Sequence, residues 1–416
     1  TVIIKDDGTV GIVTMVTSDT PSAGITTVFE EKIVFCSPSS IVDVGSGKVV
    51  IAYSDRTQGL EYGYGKAVVG TINGDTIDFG AYGIFYNAYT DEMSIVYDST
   101  NDKVVVAFNG NNKSEGRSCL GTVTGTGITF SSPVQWELGD VDFISAAYDS
   151  THGKVIVAYR DYANGPYWGT ISVQTVDVAN DTITIGNEVV FEESATEVIR
   201  STFDSTNEVV VISYVDDGDS AKGKLVVVTP DGGTGAQCGS AVTFNDNTTQ
   251  YSRPIHDPIN NKIVVVYTDN GNSPGKGTVR VGTVGGTGVD ATITFGSEYV
   301  FYDLYLFDPM ASYDSANEKI VIGYQNNNST GPWNGVAIVG EVTVGSGFTW
   351  GTETAFNSVQ INDYSSTYDS TNEKVVFAYR DVVNSNYATA VSFNSVSIAT
   401  NLTSENYIGI AGEAIS

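Results

Sequence analysis

The stretch that decides the fold is Tyr97–Phe108, YDSTNDKVVVAF, because it keeps returning. Its copies begin at Tyr148 (YDSTHGKVIVAY), Phe203 (FDSTNEVVVISY), Tyr313 (YDSANEKIVIGY) and Tyr368 (YDSTNEKVVFAY). A looser copy begins at His256 (HDPINNKIVVVY), and the most divergent at Val42 (VDVGSGKVVIAY). The shared aspartates are Asp43, Asp98, Asp149, Asp204, Asp257, Asp314 and Asp369, spaced 55, 51, 55, 53, 57 and 55 residues apart. A steady period in this range marks a repeat architecture.

Working outward from the copy at Asp149, each unit reads as four strands. Residues 143–148 form a first strand of small residues. Residues 149–153 form a turn in which Asp and Ser can hydrogen-bond the local backbone. An alternating, β-branched second strand follows at 154–159, then a third at 168–176 and a fourth at 182–191. No stretch carries the apolar spacing of an amphipathic helix. The reading is all-β: a seven-bladed β-propeller of four-stranded antiparallel blades. First strands rich in Ser, Thr and Ala fit a crowded axis, and bulkier fourth strands fit a rim.

The unit at Asp369 runs out after three strands. Residues 25–35, ITTVFEEKIVF, match the fourth-strand pattern of residues 293–303, ITFGSEYVFYD, so an N-terminal strand is expected to complete the last blade. That exchange would remove an open edge. The domains expected are residues 1–24 as an N-terminal extension (an extra strand or hairpin), 25–400 as the propeller, and 401–416 as a tail or the start of a further domain. Residues 9–17, TVGIVTMVT, also resemble a third strand and are expected to be that extra element. A chain opening on Thr1, with no cleavable-leader pattern, reads as a processed or excised piece.

Composition supports a globular β protein: 41% hydrophobic, 17% charged, with 45 glycines and 24 tyrosines among 416 residues. The net charge of −29 argues against nucleic acid and anionic membrane surfaces as partners, since both need a cationic face. No apolar run reaches the ~20 residues of a membrane-spanning helix. Cys36, Cys119 and Cys238 show no short spacing and suggest neither a zinc site nor a disulfide framework.

Catalytic motifs are missing. The two histidines, His152 and His256, both lie at or beside the repeated turn, which disfavours a Ser/His/Asp or metal–His site. Glycine runs at 125–127, 232–235 and 285–288 read as hairpin turns. The repeated aspartate reads as a turn residue, with no cofactor implied. Calcium is a minor second reading that lacks the dense Asp spacing of a calcium loop.

A second set of polar residues follows the second strands: Asp55, Asp161, Asp216, Asp269, Asn326 and Asp381, with Asn109 departing. These open loops on the face where propellers usually hold ligands. Aromatics gather on the same face, including Tyr162, Tyr167, Trp168, Tyr305 and Trp333, with Arg160 and Arg380. Flat apolar rings beside directional polar groups suit sugars. The candidate ligand-binding set is Asp161, Tyr167, Trp168, Asp269, Tyr305, Trp333, Arg380 and Asp381. The competing reading is that the rings pack between blades and the aspartates merely begin turns.

The unit KVIVAYRD (154–161), KIVVVYTD (262–269) with ITFGSEYVF (293–301), and KVVFAYRD (374–381) resembles tandem repeats of virion and tail-associated structural proteins of marine bacteriophages, the cyanophage type. The resemblance spans about residues 25–400. It implies a non-enzymatic particle component, in the virion or outside the cell, whose loop face binds a host-surface glycan, another virion protein or a second copy of itself. Two alternatives stand beside it. One is a polysaccharide-degrading propeller using a carboxylate pair such as Asp161 and Asp381; the other is a secreted cellular adhesin.

Overall fold

The repeated turn is built by its aspartate. Asp98 is fully buried, and its carboxylate accepts from the backbone N–H groups of Thr100 (3.0 Å) and Asn101 (3.1 Å) and from the Asn101 side chain (2.6 Å). Asp204, Asp257, Asp314 and Asp369 repeat this pattern, and at Asp149 the third donor is the His152 ring. Their oxygens serve the turn, which is the structural reading of this residue. Asp98→Ala leaves two N–H groups without acceptors, so unfolding titrations should show a loss of about 1–3 kcal/mol.

The computed structural model describes residues 2–4, 10–12, 17–18, 20–30, 34–35, 40–55, 63–163, 165, 167–271, 275–326 and 333–398. The fold is all-β and propeller-like: antiparallel sheets with no α-helix among the described residues. The unit at Asp149 is the plainest. Its strands Val141–Asp149, Lys154–Asp161, Trp168–Asp177 and Thr182–Glu192 pair in chain order. The unit at Asp257 likewise has one continuous fourth strand, Thr292–Tyr305, whereas in the remaining units the fourth strand is split in two. The units at Asp204 and Asp257 share the 16-residue strand Val242–Asp257, which ends one unit and begins the next.

The second strand is buried on both faces rather than alternating: Val155, Ile156, Val157, Ala158 and Tyr159 are all buried. The cause is that each sheet is packed between two others. The apolar clusters lie between successive units. One joins Val50 and Ala52 to Val104, Val106 and Phe108. Another joins the last unit to the first, through Val376, Ala378 and Ala388 against Val49, Ile51 and Tyr53.

At these interfaces one aromatic of a fourth strand meets the aromatic that ends the next unit's second strand. The pairs are Phe85–Phe108, Trp136–Tyr159, Phe191–Tyr214, Phe244–Tyr267, Phe301–Tyr324 and Phe356–Tyr379, with ring centroids 4.7–5.7 Å apart. Phe29 against Tyr53, at 5.5 Å, is the counterpart between the last unit and the first. These rings therefore pack between units.

A glycine on the third strand makes room for each of the first six fourth-strand rings. A Cβ on Gly169 would lie 2.5 Å from Phe191, so Gly169→Val should cost about 1–3 kcal/mol in thermal or urea unfolding.

The N-terminal exchange falls slightly earlier than expected. Ser22–Ala23 and Thr27–Glu30 pair with the third strand Tyr387–Asn394 of the last unit. Val34–Phe35 instead pairs with Lys48–Asp55 and belongs to the first unit, which corrects the 25–35 reading. Val10–Ile12 pairs with Val2–Ile4, and Thr17–Ser18 with Ser397–Ile398. Residues 401–416 and Cys36 lie outside the described residues.

Candidate active site at the inner loop face

Four first strands carry the same local distortion. Each has a register shift about six residues before the repeated aspartate, with a non-glycine residue in the left-handed region: Phe143 (φ 54°), Val198 (51°), Tyr251 (48°) and Asp363 (48°). Such bulges re-aim side chains and collect near functional surfaces. Around them gather charged groups that the sequence alone did not single out.

Asp142, beside Phe143, is the hub. Its carboxylate accepts from Lys113 Nζ at 2.9 Å, Arg160 Nη2 at 3.0 Å and Tyr162 OH at 2.6 Å. Arg160 also bridges to Glu197 at 3.0 Å and lies over the rings of Phe143 and Tyr162. Burial works to raise the Asp142 pKa, but the three donors outweigh it and hold the carboxyl below its ordinary value.

Glu92, in the link that enters the neighbouring unit, accepts from the Phe143 N–H. Burial, then repulsion by Asp142, push its pKa up to about 7. Both carboxyls interact with Lys113, whose own pKa they raise. Glu92 thus holds a proton up to about pH 7, where Asp142 is ionised, and Lys113 lies beside both carboxyls.

Further round the face, Arg253 Nε donates to the Pro309 carbonyl at 3.0 Å. Burial, and then the nearby Arg200, pull the Arg253 pKa down to about 10. Asp308 interacts with both guanidinium groups, and burial holds its carboxyl above the ordinary value. The Tyr364 hydroxyl donates to the Phe307 carbonyl, closing the cluster against the last unit.

The residues expected from sequence fall into three groups. Asp161 and Asp269 are buried, and each accepts from its own loop backbone, Ala163 N at 2.7 Å and Gly271 N at 2.9 Å. Asp381 does the same with Asn384 N at 2.9 Å. These aspartates stand on separate units as turn anchors, so Asp161 and Asp381 are not brought together as a catalytic pair. Tyr167 is 45% exposed and packs edge-on against Tyr162, 4.7 Å between centroids, so it joins the Asp142–Arg160 cluster. Trp168 packs over Gly165 beside it. Elsewhere, Tyr305 donates to Gln250 at 2.9 Å, and Arg380 pairs with Asp363 at 2.7 Å. Trp333, 43% exposed, lines a hollow with Val359, Gln360 and Val383.

Glu92, Asp142, Arg200 and Arg253 were missed because they lie outside the repeated motif. A signal was present for the arginines. Four residues before the repeated aspartate the chain has Ser94, Ser145 and Ser365, but Arg200 and Arg253.

No protein-family model matches the chain, and no curated protein matches it in sequence. Solved structures do share its fold. The NanB sialidase of Streptococcus pneumoniae, in complex with 2-[(3-chlorobenzyl)ammonio]ethanesulfonate, is 12% identical with a TM-score of 0.51, covering 88% of this chain and 70% of that one. A protein from Lactobacillus plantarum is 11% identical with a TM-score of 0.53, covering 88% of this chain and 99% of its own. NanB bound to Optactamide is 12% identical with a TM-score of 0.50, covering 90% and 71%.

At these identities the likeness is one of fold. It corrects the expectation of a chain without enzymatic function, because similar structures include an enzyme, a sialidase. Nothing in these neighbours points to a phage particle, so the virion and tail-fibre expectation gains no support from them.

Proposed function

We propose that this chain is a closed seven-bladed propeller whose inner loop face hydrolyses a glycan, with Glu92 as general acid and Asp142 as the ionised partner. The observation that carries the reading is the pair's opposite protonation. Glu92 is held at about 7 and Asp142 below its ordinary value, so near neutral pH one can give a proton while the other keeps its charge. Paired carboxyls with separated pKa values are the working parts of glycoside hydrolysis. Ring closure is supported by the Phe29–Tyr53 contact and by the hydrogen bond from Ser40 N to Ser365 Oγ across 325 residues.

The chemistry follows from the surroundings. Lys113, Arg160 and Tyr162 fix the Asp142 carboxylate and leave it little freedom to reorient. Burial, and then the charge of Asp142, hold the proton on Glu92. Tyr167, exposed beside them, offers a face for sugar C–H groups. The NanB neighbours lend the reading a fold in which a sialidase is built, and a sialoside is therefore one substrate to try first.

The test is a panel of chromogenic glycosides, sialosides included, with the purified chain. Turnover that falls 10²–10⁴-fold in Glu92→Gln is the expected result. Turnover of no glycoside, or full turnover by Glu92→Gln, overturns the assignment.

A second reading, a glycan-binding surface without turnover, draws on the exposed Tyr167 and Trp333. It is separated from the first by glycan-array binding that persists in the Glu92 variant and is lost in Tyr167→Ala.

A further inference from the structure

The first strands of the later units line an open hollow of about 430 Å³. At one end it is lined by Arg200 and Arg253, and along its wall by Ser201, Thr202, Ser366 and Thr367. The two arginines occupy equivalent positions in the repeat, four residues before Asp204 and Asp257. At this level the serines of other units bond across to the neighbouring first strand. Ser94 Oγ accepts from Ala146 N at 2.9 Å, and Ser145 Oγ accepts from Ser201 N at 2.9 Å. Two adjacent units therefore replace a short inter-strand hydroxyl with a long cation facing the same hollow.

Arg200 is 8% exposed. One of its Nη atoms donates to the Ile199 carbonyl at 2.7 Å, while its Nε is buried without a hydrogen-bond partner among the described residues. Burying a cation beside a second cation is costly unless an anion accompanies them. Asp308 lies near both guanidinium groups and Glu92 near Arg200, so the two cations meet two carboxyls, of which Glu92 gives up its charge below about pH 7. Guanidinium forks match the oxygens of tetrahedral oxyanions, and hydroxyls can donate to the rest.

We propose that this hollow is an oxyanion site, in which Arg200 and Arg253 bind a sulfate or phosphate group with the Ser and Thr hydroxyls of the channel wall. The ligand is either the free ion or an ester of it carried on a sugar. The proposal stands apart from glycan hydrolysis, because its readout is binding and needs no turnover.

Calorimetric titration of the full chain with sodium sulfate is expected to show one site per chain. Arg200→Met and Arg253→Met should each weaken it tenfold or more, while Lys319→Met, whose ion pair with Glu341 lies outside the hollow, should not. Parallel titration with inorganic phosphate and with a monosaccharide 6-sulfate separates the sources: tighter binding of the ester identifies a sugar-borne group, and equal or weaker binding a free ion. Should the methionine variants fail to fold, crystals of the unaltered chain soaked in selenate give the answer by anomalous scattering. A selenium peak in the channel beside both guanidinium groups is the expected result. Absence of a channel peak, sulfate binding unchanged in folded Arg200→Met, or no sulfate binding at millimolar concentration overturns the proposal.

Discussion

Removing residues 1–30 is expected to unfasten the proposed ring, not merely to trim an end. The segment supplies the fourth strand of the last unit: Thr27, Val28 and Glu30 pair with Ala390, Thr389 and Ala388. It also reaches forward to the first unit. Phe29 packs on Tyr53 and on Phe79, with centroids 5.5 and 5.2 Å away, and the Tyr53 hydroxyl donates to Glu30 at 3.3 Å. Ile25 N donates to the Asp75 carbonyl of the first unit at 2.7 Å.

Deleting it would expose the edge of Tyr387–Asn394 and uncover the cluster that joins the two ends of the chain. Unpaired edges of this kind recruit other chains. The loss should reach several kcal/mol, because strand pairing, apolar burial and the aromatic contact go together. Calorimetry should show a lower and less cooperative transition, and size-exclusion chromatography should show aggregation. Deleting residues 1–19 spares this segment and should leave the transition within a few degrees. A Δ1–30 chain that melts cooperatively at the full-length temperature would falsify the strand-exchange closure.

The second large effect concerns pH. Glu92 has its folded-state pKa raised from 4.5 to about 7, so its proton favours the fold. That contribution is fully present below about pH 4.5 and is lost as pH climbs through about 7. A general acid with this pKa gives turnover that falls on the alkaline side with a limb near 7. Asp142 has its pKa lowered, so its limb lies below the ordinary carboxylate range. Glu92→Gln should cut kcat by 10²–10⁴ and abolish the alkaline limb together. It should also flatten the fall in thermal stability between pH 5 and 8. A variant that loses turnover but keeps the limb would assign that limb to another group.

Much of the architecture was legible because local chemistry repeats. The Asp-x-x-Asn turn satisfies its own backbone within three residues, so its sequence mark survives in nearly every unit. The aromatic that ends each second strand recurs because each meets the same kind of ring from the preceding unit. The candidate site was far less legible. Asp161, Asp269 and Asp381 looked like ligands because they recur at loop starts, yet that recurrence reflects their work of holding loop N–H groups. Glu92 and Asp142 recur nowhere. They come from adjacent units 50 residues apart and meet only when the sheets pack side by side.

The sequence by itself therefore determined the repeat, its four-strand grammar, its turns and the need for an N-terminal strand at the last unit. Each rests on contacts within one unit or on a pattern copied from unit to unit. Only the tertiary structure decided which residues close the chain, which faces of the second strands are covered, and which charges meet at the inner loop face. Those depend on how neighbouring sheets approach, and a single Arg in place of Ser, as at Arg200 and Arg253, acquires meaning only when the first strands lie together around one hollow.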